Sequence, residues 1–513
     1  MSDSEGQVGR FGWRCCESDA PCCRACWTAT SRFACLQWEN IDAHLQLYEP
    51  LLGYAGAAPE HAGAPGSLRL EPLVASAWRR SADGRTYTLD LPKGIRSPFG
   101  NELTAEDVCW AWERSIGVGS IGAWIARNLA LYSAADARAH IRATGRYQVV
   151  FDLPAPTTIL PHLLTVIVPT IFDSTEARRH ATADDPWALD WLRTHSAGFG
   201  PYTVEECTAS SVVLRANEKY RLGVRPFDRV EYVAIRDAGE RFAALRAGDV
   251  DVATDLDTRA GEYGDVRVHA VPTTWQTKLG LNVTTEPLTD LRLRRAVAAA
   301  IPYERIVRDG YLGNARTMDS VLNRTVSGFA EVPDLIRYDP DAARRAVAEL
   351  GDLPEIEFYF HDELSQFART AAIVADGLEA AGIAVKPVLI DGADHSLRRI
   401  ARDMPMYLES DGPITIDGRY ALGHDVNPPL GGVFDFTGYH SDAIAARLDE
   451  SLGELDDDRV RTLLAEVQRI AAADQPWVPL AEQMFVFGTT ARVGGYRWYP
   501  LSRLRLRDLR ERP

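Results

Sequence analysis

Apolar residues in this chain follow two periods. They alternate with polar ones in GRTYTLDLPKG (84–94) and GRYQVVFDLPAP (145–156), a period of two that predicts strands stopped by Pro and Gly. Between them, TAEDVCWAWERSI (104–116) spaces Val108, Trp112 and Ile116 by four, as one helix face requires. It opens on Thr104 as an N-cap with Asp107 three residues on. Trp110 and Trp112 are read as packing residues. Further along, 356–360 predicts a strand and 367–381 a helix with Phe367, Ala371, Val374 and Leu378 on one face. Gly382 closes that helix and IAVKPVLI (383–390) predicts a second strand, making a right-handed βαβ unit and hence a parallel sheet. Amphipathic helices are predicted near 441–454 and 457–473, the second carrying Val460, Leu463, Leu464, Val467 and Ile470 in one stripe. In DLRLRRAVAAAIP (290–302), Leu293, Val297 and Ile301 form a buried face while Arg292, Arg294 and Arg295 point mainly to water. GFGPY (198–202) reads as a rigid bend, its glycines supplying backbone angles closed to other residues. GVGSIGAW (117–124) echoes a glycine-rich nucleotide loop but follows a helix rather than a strand, and is read as a plain loop.

Composition narrows the classes this pattern leaves open. The chain has 513 residues, 46% of them hydrophobic and 25% charged, enough to build more than one core. Lys and Arg number 56 against 72 Asp and Glu, a net charge of −16 that speaks against nucleic acid and anionic membrane surfaces. Lys stands only at 93, 219, 278 and 386. No apolar run approaches the roughly 20 residues of a membrane span, so no direct membrane insertion is expected. The start, MSDSEGQVGRFGW, has Asp3 and Glu5 and no apolar stretch, and Cys15 lacks the surroundings of a lipid attachment site. As written, the expectation is a cytoplasmic protein, extracytoplasmic if the true start lies upstream. In a reducing compartment Cys15, Cys16, Cys22, Cys23, Cys26 and Cys35 are expected as free thiols or metal ligands rather than disulfides, and the free-thiol reading is favoured because the single CxxC at 23–26 has no second half at metal-binding spacing. The 11 histidines are scattered, so no metal and no cofactor is expected, and there is no nucleophile elbow, Walker loop or Rossmann fingerprint.

Several ordered blocks resemble one family. LYEPLLGY (47–54), PLVASAWRRSADGRTYTLDLPKGIRSPFGNELTAEDVCWAWERSI (72–116), SAGFGPYTVEE with LRANEKYRLGVRPFDRVEYVAIRDAGERFAALRAGDVDVAT (196–254), KLGLNVTTEPLTDLRLRRAVAAAIPYERIV (278–307), FDFTGYHSDAIAARLDE and DQPWVPLAEQMF are similar to the peptide/nickel-type, family 5 solute-binding proteins of bacterial ABC importers. The likeness covers about residues 40 to 500. It implies an α/β fold of the periplasmic-binding-protein type II, two α/β lobes around a cleft plus a third subdomain. The division it implies is lobe I from 1–54, 196–275 and 485–513, an accessory subdomain at 55–195, and lobe II at 276–484. QVGRFGWRCC then falls where members have their N-terminal strand. That placement leaves no residues over for a leader.

The resemblance also implies a ligand chemistry. Peptide-binding members hold the ligand's ammonium with an acid in a Trp-x-x-Asp-x-x-Asp-Pro segment, a physical need because a desolvated cation requires a carboxylate. Here that stretch reads YLESDGPITIDGRYALGHD (407–425), without the Trp and the Asp-Pro. Asp411 and Asp417 are the candidate ammonium partners, and Trp275 and Gln276 the candidates to face the cleft. The function this implies is capture of a peptide or amino-acid-like small molecule, with an ABC permease as partner if the protein is exported. The alternative is a cytosolic relative recruited as a biosynthetic enzyme that condenses or cyclises an amine, for example by Pictet–Spengler ring closure, in natural-product biosynthesis; Glu409, Asp411, Asp417, His424 and Asp425 would be its acids and bases. A transcriptional sensor is disfavoured, because fewer than 50 residues precede the shared region and the charge does not suit DNA.

Overall fold

The computed structural model describes residues 8–13, 44–166, 169–208, 210–223, 226–333, 336–426, 436–501 and 504–512. The six N-terminal cysteines, with the CxxC, lie outside these. The chain divides into two compact units, Met1–Leu256 with Ala260–Val271 and Val486–Pro513, and Asp257–Arg259 with Pro272–Phe485. Both are mixed α/β.

In the first unit, Val8–Trp13 runs parallel between Arg229–Ala234 and Val252–Thr254, and Ser211–Ala216 and Tyr202–Cys207 continue the sheet antiparallel. A second sheet orders Ala77–Arg80, Thr86–Asp90, Gln148–Asp152 and Ile141–Gly145, all antiparallel. The alternating segments at 84–94 and 145–156 supply its two central strands. Helix Ala105–Gly117 packs on this sheet, with Trp112 meeting Phe151 edge-on at 5.4 Å. Its start is fixed as the sequence predicts, the Thr104 backbone N–H donating to the Asp107 carboxylate at 2.7 Å. GVGSIGAW is not the plain loop expected: Ser120 accepts from the Gly122 N–H and starts helix Ile121–Arg127, a cap signal hidden among glycines. The GFGPY bend stands, for a different reason than backbone angle. Neither Gly198 nor Gly200 has a positive φ. A Cβ on Gly198 would lie 2.0 Å from the Leu47 carbonyl oxygen, so it is close approach of another segment that requires glycine.

In the second unit, strands Ile356–His361 and Val385–Ile390 pair in parallel and are joined by helix Ser365–Ala380, the βαβ unit read from the sequence. Strand Met406–Asp411 lies parallel to Ile356–His361 and antiparallel to the end of strand Val266–Leu281. The core joins Leu279, Leu281, Met406 and Leu408 to helices Leu291–Ala300, Ser365–Ala380 and Asp457–Asp474. Leu293, Val297 and Ile301 are buried there as expected. Arg294 corrects the picture of a solvated arginine run: it is buried and donates to the carbonyls of Leu288, Thr289, Asp474 and Gln475. It thereby satisfies carbonyls at the C-terminus of helix Asp457–Asp474, which no intrahelical N–H can reach. Arg292 stays outside, on Asp290. Among the described residues no helix is long and apolar enough to cross a membrane.

Candidate functional site

Two strand segments of the second unit pair Gln276 with Asp411, Lys278 with Glu409 and Gly280 with Tyr407. Side chains alternate along a strand, so these six share one face while Leu279, Leu281, Leu408 and Met406 take the other. The apolar face is sealed in the core. That burial fixes the register, because a slip of one residue would drive Lys278 and its acids into the core. Gly280 makes room on the polar face: a Cβ there would lie 2.3 Å from the Tyr407 ring. Helix Gly418–Val426 brings in His424 and Asp425.

These elements converge on one ammonium. Lys278 Nζ lies 2.9 Å from Asp411 Oδ1 and 2.8 Å from Asp425 Oδ2, and faces the Trp477 ring at 5.1 Å. The other Asp425 oxygen is 2.9 Å from His424 Nδ1, and Gln276 Nε2 approaches Asp425 at 3.4 Å. The Lys278 side chain is 6% exposed and that of Asp425 8%, whereas Asp411 keeps 20%. The second Asp411 oxygen accepts from no described residue. Burial acts to strip the proton from Lys278, but Asp411 and Asp425 outweigh it and hold the amine above its ordinary value. Burial likewise acts to protonate Asp425, and Lys278 with His424 overcomes it, holding the carboxyl below the usual range. Alongside, Glu409 pairs with Arg399, whose guanidinium lies 4.1 Å from the centre of the Phe436 ring. That pair is neutral in sum. Among the described residues, with His424 neutral, one ammonium facing two carboxylates leaves a single negative charge in excess. A cavity of about 20 Å³, room for about one water, lies against Lys278, Gly280, Tyr407, Asp411 and Trp477.

Of the residues singled out in the sequence, the fold brings Gln276, Glu409, Asp411, His424 and Asp425 to this face and helix. Asp417 is held elsewhere: its carboxylate takes the Arg419 guanidinium on both oxygens and the Arg419 backbone N–H at 2.9 Å, all buried. Trp275 is half-buried, and its ring lies where a Cβ on Gly412 would be, 2.3 Å from Cδ1. As adjacent strand residues, Trp275 and Gln276 point to opposite faces. Lys278 was missed by the sequence reading. Its one signal was a lone charge inside the apolar run KLGLNV in a chain with few lysines. The Asp411, His424 and Asp425 donor atoms lie within 4.8 Å of one another, a metal-like grouping, but the Lys278 ammonium already sits against both carboxylates.

This fold is that of a periplasmic-binding-protein type II. DppA from Helicobacter pylori, an ABC transporter-associated periplasmic binding protein solved with the peptide STSA, superposes with a TM-score of 0.80 at 20% identity, over 99% of this chain and 98% of that one. A dipeptide-binding protein from Pseudoalteromonas sp. SM9913, solved with Met-Leu, gives 0.81 at 18% identity over 99% and 100%. The chain belongs to the bacterial extracellular solute-binding proteins, family 5, whose profile (family 5 Middle) matches residues 69–428. Among curated proteins it is 23% identical over 473 residues to heme-binding protein A of Haemophilus influenzae, covering 85% of this chain and 83% of the relative. It is also 23% identical over 446 residues to the probable D,D-dipeptide-binding periplasmic protein DdpA of Escherichia coli K12, covering 86% and 84%. The protein is therefore a solute-binding protein, and family membership carries solute capture rather than the condensation chemistry considered as the alternative.

Proposed function

We propose that the solute is a small peptide or amino-acid-derived molecule carrying one cationic nitrogen, received by the free oxygen of Asp411, and that the protein delivers it to an ABC permease. The carrying observation is the charge imbalance at Lys278: two carboxylates share one ammonium, and the partly exposed Asp411 has an oxygen that accepts from none of the described residues. A monovalent cation both cancels the excess charge and fills that oxygen, and a charge-assisted hydrogen bond is the stronger for it. Of the relatives named above, one is a probable D,D-dipeptide-binding protein and the two solved structures hold STSA and Met-Leu, all amines built from amino acids, while the remaining one is named for heme. Asp417, closed on Arg419, takes no part in this reading. The test is a thermal-shift screen of di- and tripeptides beside the same peptides N-acetylated. A rise in melting temperature with the free amines that the acetylated set lacks supports the reading. Equal shifts from both sets would remove Asp411 from it, and no shift from either would remove the peptide class.

A further inference from the structure

The Lys278 side chain, buried and in contact with both acids, also bears on what the cluster refuses. The donor atoms of Asp411, Asp425 and His424 lie within 4.8 Å of one another. Two carboxylates and an imidazole around one point are the donor set of a divalent cation, which binds such atoms at about 2.0–2.2 Å. In this chain the place is taken by an amine the protein itself supplies, 2.9 Å from Asp411 and 2.8 Å from Asp425. We propose that Lys278 is the specificity-determining residue of this cluster: a built-in cation that closes Asp411, Asp425 and His424 to divalent metal ions and leaves them one charge short, so that only a singly charged group is matched.

Two buried carboxylates with no cation between them cannot both stay ionised, so one must protonate or a cation must enter. Lys278 resolves this halfway. Its ammonium neutralises one charge and occupies the space against both acids that a metal would need. A dication added to the intact cluster would meet the fixed ammonium at close range, whereas removing that ammonium would leave two negative charges and an imidazole for it. The consequence for the solute rests on the reading above. The exclusion of metal does not, so a failed peptide screen leaves this part standing.

The experiment is titration of the full chain with Mn²⁺, followed by loss of the free-ion electron paramagnetic resonance signal. Mn²⁺ is chosen because it favours carboxylate and imidazole over thiolate, which keeps the N-terminal cysteines from competing. The wild type is expected to take up no ion at the cluster. Lys278→Met is expected to take up one Mn²⁺ per chain with a rise in melting temperature, and Lys278→Met/Asp425→Asn to lose that uptake. If Lys278→Met folds only when Mn²⁺ is present, the proposal is likewise supported, the metal having replaced the missing charge. It is overturned if the wild type takes up one Mn²⁺ that Asp425→Asn abolishes, or if folded Lys278→Met takes up none. It is equally overturned if Lys278→Met stays unfolded with Mn²⁺ while the double variant folds.

Discussion

Asp411 and Asp417 stand six residues apart in the same segment, and the sequence offered them as equals. The fold separates them by charge balance. Asp417 is locked with Arg419 in a buried pair that uses both carboxylate oxygens, so its charge is spent inside the protein. Asp411 shares one ammonium with Asp425 and, among the described residues, keeps an oxygen open. An acid completed by its own chain holds the fold together; an acid left incomplete is available to a solute. The difference arises from neighbours, since Asp411 ends a strand opposite Lys278 whereas Asp417 precedes a helix whose first residues carry its arginine.

The comparison breaks most visibly at Lys278. Lys278→Met leaves Asp411 and Asp425 without their cation and is expected to lose about 3–5 kcal/mol of stability, read from urea denaturation. Adding Asp425→Asn should return most of that loss, because one carboxylate near the surface can stay solvated. Asp417→Asn takes its carboxylate charge from the buried Arg419 and should lose on the order of 3 kcal/mol, with solute affinity unaltered in the protein that folds. Asp411→Asn is the mirror case. Lys278 retains Asp425, so stability should change by less than about 1 kcal/mol, while the Kd for a cationic solute weakens roughly 10- to 100-fold in calorimetry.

The smallest effect is a flat one. Asp425 is held below its ordinary value, so its contribution is present above about pH 3.9 and lost only as pH falls through the depressed folded value. Lys278 is held above its ordinary value, so its contribution is present below about pH 10.4 and lost only as pH rises through the raised one. Lys278 and Asp425 therefore add no pH dependence to stability between about pH 5 and 9. Acid sensitivity comes from buried neutral histidines. Burial, seconded by Arg114, pushes His44 down to about 3, and burial, seconded by His361, pushes His395 down to about 3. Their contribution is present above about pH 6.5 and declines as pH falls toward those folded values. Denaturation midpoints measured from pH 7 to 4 should fall, and less steeply in His395→Gln.

What the sequence made legible was local. The helix at 105–117 was readable because its cap, Thr104 with Asp107, and its apolar face lie within a dozen residues. The βαβ unit was readable because strand, helix and Gly382 follow in order. Arg294 was misjudged because its acceptors, the carbonyls of Asp474 and Gln475, are about 180 residues away. The Lys278 cluster needed two strands more than 120 residues apart to pair and a helix to return beside them. No spacing in the sequence encodes that meeting. Their density singles the acids out in the sequence; the lysine opposite is what leaves one of them chemically open.

Openness at Asp411 and closure at Asp417 is the central difference. Its most direct test is titration calorimetry of one peptide from the screen against wild type, Asp411→Asn and Asp417→Asn side by side. A loss of binding in Asp411→Asn with wild-type binding in Asp417→Asn is the result predicted. Undiminished binding in Asp411→Asn, or a loss confined to Asp417→Asn, would contradict it.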